Sequence, residues 1–324
     1  MGSLVKVSDE SSGNGVAMAT PVLKSVPTPG RGLRASRVAP AISEVLLLAG
    51  GVRPRGFRAQ LGRSVLDLPV RDDRRLMDVW REEIGGLSEH FNLGRRRVRV
   101  LIDQASLPPT APFASAAGCD VVVRRDAGTY RGTGGVLKDA CRGINGDSYV
   151  LVMHACQLMC EPLAPLVERL MACGADVSFP IEPSGGAGGV FLVRAGCLVA
   201  LPDIGFVDFK EQAIPLIAKR HKVRVAELNS PSSLPIHSLH DYVKAVRHQH
   251  VRQGGHTGQG FAVVEAGARV HETARLHDSV VLAGGRVEAG AILAGSLVTA
   301  GGVVGASRRV VHGLVSGRGP LESR

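Results

Sequence analysis

Two glycine-rich segments hold the residue types that bind phosphate groups. In the first, the apolar run 45–48 leads directly into Ala49, Gly50 and Gly51, and Arg55 follows. Glycines let backbone amides approach an anion closely, and an arginine adds charge-assisted hydrogen bonds. The pattern predicts an anion-binding turn after a buried strand, although a plain tight turn has the same appearance.

The second glycine-rich segment contains Gly132, Thr133, Gly134 and Gly135, and an amphipathic stretch follows it. Such a segment predicts a loop that runs into the N-terminus of a helix, where free amide groups again favour an anion or a polar ligand. The alternative is a turn that leads into a helix and binds nothing.

The elements that must position these loops alternate along the chain. Short apolar runs that predict strands cover 45–49, 98–102, 120–123, 149–153, 177–181, 189–193 and 223–228. Helix-like stretches cover 75–87, 135–142, 163–173 and 209–220. In the third of these helices, Leu163, Leu166, Val167 and Leu170 share one face. This alternation predicts an α/β fold with a Rossmann-like, mostly parallel sheet covered on both faces.

After residue 258 an aliphatic residue returns about every six positions. The anchors are Val264, Val270, Leu276, Leu282, Val287, Leu293, Val298 and Val304. A six-residue period is typical of a short left-handed parallel β-helix, in which the anchors point inward. Two or three coils are marginal alone, so we expect them to pack on the main domain or to form a homo-oligomer.

The composition divides the chain into five parts. We expect a disordered or loosely attached extension at 1–41, the α/β domain at 42–235 and a connector helix at 236–257. The β-helix then covers 258–315, and 316–324 form a tail.

The histidine pairs at His237/His240 and His248/His250 have spacings that could hold a transition metal, but a solvated helix face is the simpler interpretation.

Charge and cysteine content narrow the function. The chain has 39 Lys and Arg against 29 Asp and Glu, a formal charge of +10 that attracts polyanions. The basic runs lack the interleaved aromatic residues of single-strand binders, so nucleic acid is not the expected partner.

The six cysteines form no Cys-x-x-Cys pair, and the first 20 residues have no continuous apolar run. We therefore expect a reduced, cytoplasmic protein without a membrane segment.

Taken together, the order of these parts resembles that of the sugar-phosphate nucleotidyltransferases, which include mannose-1-phosphate guanylyltransferases and glucose-1-phosphate thymidylyl- and uridylyltransferases. The first segment resembles their Leu-Ala-Gly-Gly-x-Gly-Thr-Arg loop, with Arg55 at the arginine that grips the triphosphate. Arg53 and Pro54 replace the loop's third glycine and its threonine. The second segment resembles their Gly-Thr-Ala-Gly-Ala-Leu loop, which packs on the base and ribose.

The resemblance also assigns roles further along the chain. Arg63 matches the arginine of an Arg-Pro-Lys-Pro-Leu-Leu-Pro-Val piece, and Val65 stands where that piece has its phosphate-binding lysine. Cys156 stands at the aspartate that holds Mg²⁺ in the family's Asn-Gly-Asp strand end. Asp208 matches a second Mg²⁺ ligand and Lys210 a sugar-phosphate contact; a helix N-cap and a solvated charge are their alternatives.

The resemblance leaves two main functions open. An active enzyme would transfer a nucleotidyl group from a nucleoside triphosphate to a sugar 1-phosphate and release pyrophosphate. A catalytically impaired relative would bind a nucleotide or nucleotide sugar as a regulatory or scaffold subunit, which the replaced metal and lysine positions favour. An acyltransferase built on the six-residue repeats, with His271 or His277, is a weaker third alternative.

Overall fold

The computed structural model describes residues 25–26, 42–50, 56–71, 74–94, 96–110, 119–126, 131–256 and 258–317. Gly51 and Arg55 lie outside the described residues, as do most of the predicted extension and residues 318–324. The roles predicted for those two residues therefore stay predictions.

The central element is a mostly parallel sheet. The strands before residue 237 are β1 (Ser25–Val26), β2 (Ile42–Leu48), β3 (Pro69–Arg71), β4 (Arg74–Arg75), β5 (Arg96–Ile102), β6 (Cys119–Arg125), β7 (Tyr149–His154), β8 (Gln157–Met159), β9 (Val177–Ile181), β10 (Val190–Arg194), β11 (Val223–Glu227) and β12 (Ser233–Pro235). Eight of these described strands form the central sheet, in the order β1-β11-β9-β10-β7-β2-β5-β6. Within it, only β10 runs antiparallel to its neighbours, β9 and β7.

Helices connect these strands and cover the sheet. They are α1 (Phe57–Leu61), α2 (Leu76–His90), α3 (Gly132–Ala140), α4 (Leu163–Ala172), α5 (Ile214–Ala218) and α6 (Leu239–Arg252). Short 3₁₀ turns lie at Val65–Asp67 and Ala195–Ala200. The apolar face predicted for α4 is buried in the core, where each fully buried Leu or Val contributes about 1.5–3 kcal/mol.

The stretch predicted as one helix over 209–220 is divided in two. A π-helical turn covers Phe209–Ala213, and α5 follows it. Pro215 lies in the first turn of α5 and has no amide hydrogen to donate to the preceding turn, which accounts for the break.

Three small parallel sheets follow α6. The first sheet contains β13 (Ala262–Val264), β16 (Ser279–Val281), β19 (Leu297–Val298) and β22 (Leu314–Val315). The second contains β14 (Arg269–Val270), β17 (Arg286–Val287) and β20 (Val303–Val304). The third contains β15 (Arg275–His277), β18 (Ile292–Ala294) and β21 (Arg309–Val311). Every pairing within these sheets joins residues 17 positions apart, as Ala262 pairs with Ser279. We call these the C-terminal sheets; their arrangement is compatible with the predicted β-helix.

The C-terminal sheets pack against the main body through the first of the three. Val263, Val280 and Leu297 of that sheet belong to the same buried cluster as Tyr242 of α6. The Tyr242 hydroxyl donates to the Pro69 carbonyl oxygen over 2.6 Å. This packing fixes the short repeat array to the α/β unit, as its small size requires. Within the described residues, no helix is long and apolar enough to cross a membrane.

Candidate functional site

The carboxyl ends of three neighbouring parallel strands meet at one edge of the sheet. Strand β2 ends before Ala49 and Gly50, β5 ends before Asp103, and β7 ends at His154. The amides of Ala49 and Gly50 both donate to the Leu101 carbonyl oxygen, over 2.8 and 3.1 Å. Ligands of open α/β sheets bind at this edge, so the first predicted loop lies in a suitable place.

Gly50 is required by the close approach of β5. A Cβ atom on Gly50 would lie 2.6 Å from the Asp103 backbone nitrogen, a distance that real Cβ atoms essentially never show. The residue therefore lets the turn after β2 pack against the end of β5. That packing accounts for this glycine whether or not a phosphate binds beside it.

A pocket of about 90 Å³ lies next to this turn. Its lining combines basic, hydroxyl and small residues, among them Ala49, Arg58, Arg63, Ser64 and Ser106. The Arg58 guanidinium donates to the Ala49 carbonyl oxygen over 2.7 Å, which holds it across the mouth of the turn. Two arginines and two hydroxyl groups in one pocket favour an anionic ligand.

Arg63, the predicted phosphate ligand, has a protein partner. Its Nη1 atom lies 2.8 Å from each carboxylate oxygen of Glu265, in the loop after β13. Glu265 also accepts the Ala283 amide over 2.8 Å. The arginine thus joins the pocket wall to the C-terminal sheets. Val65, at the position of the family's lysine, is buried.

The second glycine-rich segment packs tightly on the segment before the π-helical turn. Gly132 has a φ of +65°, and a Cβ atom there would lie 2.4 Å from the Val207 carbonyl oxygen. The Gly134 amide donates to the same oxygen over 2.8 Å. At Gly135 a Cβ atom would lie 3.1 Å from Cζ of Arg131. Protein atoms occupy the space that these glycines leave open.

Thr133 and Asp208 meet at this junction. The Phe209 amide donates to the Thr133 hydroxyl oxygen over 2.9 Å, and that hydroxyl lies 3.4 Å from Oδ2 of Asp208. Oδ1 of Asp208 accepts the amides of Lys210 and Glu211, over 2.8 and 2.9 Å. Asp208 is therefore an N-cap. The structure brings it into contact with Thr133, which the sequence predicts in a loop but which lies in the first turn of α3.

Lys210 and His154 form the polar part of the same edge. Nζ of Lys210 donates to the Ala187 carbonyl oxygen over 3.3 Å and lies 5.6 Å from the centre of the Phe191 ring. Burial lowers the pKa of Lys210. His154 packs edge-on against Phe191, and burial, with the positive charge of Lys210, lowers the pKa of His154 to about 4. His154 is therefore neutral near pH 7.

The two positions that the resemblance assigns to Mg²⁺ offer a poor ligand set. Cys156 is 8% exposed, and burial raises the pKa of its thiol, so a neutral sulfur stands at the first position. Asp208 uses Oδ1 for the helix cap described above. Because Mg²⁺ requires hard oxygen ligands in octahedral geometry, these two side chains do not fit it as they stand.

Two aspartates at the same edge were missed by the sequence analysis. Oδ1 of Asp103 accepts the amides of Ala105 and Ser106, over 2.8 and 2.7 Å. Asp126 directly follows β6; burial, followed by the charges of Asp103 and Asp139, raises its pKa to about 6. The signal was present, because each aspartate follows an apolar strand of a parallel sheet.

The histidine alternatives receive no geometric support. In the described parts of the chain, none of His237, His240, His248 and His250 belongs to a cluster with metal-ligand spacing. His271 contacts its neighbour Thr273 over 2.9 Å, and His277 lies 3.0 Å from Asp278. These contacts are local to each histidine.

Comparison with solved structures supports the fold. No protein-family model and no curated protein matches the chain. A Bacillus anthracis protein assigned as a glucose-1-phosphate thymidylyltransferase, solved with sucrose, is similar with a TM-score of 0.50 and 12% identity, over 63% of this chain and 93% of that one. The rv0371c homologue from Mycobacterium sp. strain JC1 gives 0.44 and 20%, over 66% and 99%. The first likeness shows a mixed α/β fold with a mostly parallel central sheet, which is consistent with a nucleotidyltransferase fold.

Proposed function

We propose that this protein binds a nucleoside phosphate or nucleotide sugar at the carboxyl edge of its sheet and transfers nucleotidyl groups poorly or not at all. It would then act as a regulatory or scaffold subunit. The active nucleotidyltransferase, with a nucleoside triphosphate and a sugar 1-phosphate as substrates and Mg²⁺ as cofactor, is the alternative.

The ligand set at the predicted metal position carries this choice. A thiol replaces one carboxylate at Cys156, and the other carboxylate, on Asp208, caps a helix. Nucleotidyl transfer depends on cations that neutralise the developing charge on the phosphates. Without a carboxylate pair at these two positions, the site retains binding chemistry more readily than transfer chemistry.

The pocket supports the binding half of the proposal. Arg58 and Ser64 line it beside Ala49. An arginine that lies near a phosphate forms hydrogen bonds about twice as strong as neutral ones. The positive charge of the chain also favours the approach of a polyphosphate.

The C-terminal sheets support a second part of the proposal. We infer that they are coils of a left-handed parallel β-helix, because each strand pairing joins residues 17 positions apart. We propose that they also pair two copies of the chain. Val303 and Val311 of the last coil are each 50% exposed and could lie in such a contact. Sedimentation of wild type and Val303→Glu tests this pairing; a monomeric wild type would contradict it.

The decisive experiment separates binding from turnover. Calorimetric titration with a panel of nucleoside triphosphates and nucleotide sugars measures affinity, and pyrophosphate release with sugar 1-phosphates and Mg²⁺ measures transfer. We expect saturable binding without turnover. Arg58→Met should weaken nucleotide binding by about 10-fold, whereas the matched change Arg220→Met, at an exposed arginine after α5, should leave it unchanged.

The Asp208→Asn variant distinguishes the two alternatives. Asparagine caps helices as well as aspartate but carries no charge, so the fold is preserved while a metal ligand is weakened. Steady pyrophosphate release that this variant abolishes would establish the enzyme and overturn our proposal. Absence of binding across the whole panel would overturn both.

A further inference from the structure

A second cluster of polar side chains lies at the opposite, amino edge of the sheet. Three neighbouring strands deliver it: Asp176 immediately precedes β9, His221 lies just before β11, and Cys197 follows β10, whose antiparallel direction brings its end to the same edge. One potential ligand atom from each residue lies within 4.8 Å of the other two.

The backbone holds this group in place. The Asp176 amide donates to the Lys222 carbonyl oxygen over 2.8 Å, and Oδ2 of Asp176 accepts the Lys222 amide over 2.8 Å. Nδ1 of His221 lies 3.9 Å from that same carboxylate oxygen. The aspartate is thus oriented by a reciprocal pair of backbone contacts, as ligand-bearing carboxylates commonly are.

From this convergence of a thiol, an imidazole and a carboxylate on three adjacent strands, we propose that Asp176, Cys197 and His221 bind a zinc-class transition-metal ion. A Cys-His-Asp set suits Zn²⁺, whereas Mg²⁺ and Ca²⁺ prefer oxygen ligands only. In tetrahedral zinc sites neighbouring ligand atoms are about 3.5 Å apart. A relative movement of roughly 1 Å among the three side chains would therefore complete the site.

The surroundings permit entry of the ion and balance its charge. Cys197 is fully buried and forms the floor, while the Asp176 and His221 side chains are 24% and 32% exposed and form the rim. Binding would release the thiol proton to solvent, and the thiolate and carboxylate together neutralise a divalent ion. Arg194, whose Nε lies 3.3 Å from Oδ1 of Asp176, then faces a neutral centre.

The site is independent of the proposed nucleotide pocket, since the two lie at opposite edges of the sheet. A metal here would tie the starts of β9 and β11 to the 3₁₀ turn after β10. The expected consequence is greater stability of this edge of the sheet, and three protein ligands leave one coordination position for water.

Cobalt binding by the full-length chain tests the proposal. Co²⁺ coordinated by a thiolate gives a sulfur-to-metal charge-transfer absorption that water-bound Co²⁺ lacks. We expect this absorption to saturate at one equivalent in the wild type and Zn²⁺ to abolish it by displacement. Cys197→Ser should remove it, and Cys173→Ser, which changes another buried cysteine, should retain it.

A second variant keeps the test decisive if Cys197→Ser does not fold. His221→Gln alters the partly exposed rim and should weaken Co²⁺ binding by at least about 10-fold with an unchanged circular dichroism spectrum. Absence of the charge-transfer absorption in the wild type would overturn the proposal. So would its persistence in Cys197→Ser, its loss in Cys173→Ser, or unchanged affinity in His221→Gln.

Discussion

The two glycine-rich segments have similar compositions, yet they lie in different surroundings. Gly50 packs against Asp103 next to a pocket that Ala49 lines, whereas Gly132 and Gly134 pack against Val207. Close contact between chain segments accounts for the glycines in both places, and the first segment also adjoins a pocket. The difference teaches that a glycine-rich motif indicates that other atoms approach the backbone closely, but does not identify those atoms.

The largest effect should come from Gly132→Ala. The variant places a Cβ atom in a left-handed conformation and against the Val207 carbonyl oxygen, so we expect the free energy of unfolding to fall by about 3–4 kcal/mol. Urea denaturation measures it. Gly143→Ala is the control, because Gly143 also has a positive φ but open space around it, and should lose only about 1 kcal/mol. Equal losses of stability in Gly132→Ala and Gly143→Ala would show that the positive φ, and not the contact with Val207, requires glycine at position 132.

Gly50→Ala should have the next largest effect. The new Cβ atom would overlap the Asp103 amide, which we expect to lower the free energy of unfolding by about 2–3 kcal/mol and to distort the pocket. Thermal unfolding with and without nucleotide measures both consequences. Gly86→Ala, at an open position in α2, should instead stabilise the protein by about 0.5–1 kcal/mol.

These segments also show what could be predicted from the sequence. Seven of the eight strands of the large sheet were foreseen to within about three residues because each contains an apolar run, whereas β1, β3, β4, β8 and β12 were not foreseen. Helix α4 was foreseen because its leucines recur at helical spacing. The antiparallel direction of β10 was missed, although the short Gly-rich connection after β9 is too short for a crossover.

The site was less predictable than the fold. The resemblance assigned Thr133 to a nucleotide-binding loop and Asp208 to a metal site, but the sequence did not indicate their contact across 75 positions. Nor did it indicate that Arg63 pairs with Glu265, 202 positions away. Such long-range pairs depend on how the elements pack, whereas composition and periodicity report only on local structure.

A third prediction concerns the polar end of β7. The folded protein holds the pKa of His154 near 4, below its ordinary value of 6.5, so the unfolded chain takes up a proton first. Stability should therefore decline as pH falls from 6.5 to 4, by about 2 kcal/mol. His154→Gln should flatten this decline in urea denaturation. His240→Gln, at an exposed position, should leave the decline of stability with falling pH unchanged. If His154→Gln also left that decline unchanged, His154 would not be its cause.

The smallest effect should come from the cap at Asp208. Asp208→Ala removes acceptors for two amides and should lower the free energy of unfolding by about 1 kcal/mol, whereas Asp208→Asn should lower it by a few tenths at most. Urea denaturation of both variants, side by side, separates the cap from the charge. If Asp208→Asn lowered the free energy of unfolding as much as Asp208→Ala does, the carboxylate would stabilise the glycine-rich junction by its charge.

The 17-position return of the C-terminal sheets limits how this end of the protein can change in length. Removing a full period, such as residues 279–295, would place Ser296 where Ser279 stood and leave each aliphatic side chain facing inward. Removing one residue fewer would rotate every later side chain out of register. Insertions and deletions that keep the core intact are therefore multiples of one period, so this part of the chain is extended or shortened in whole turns.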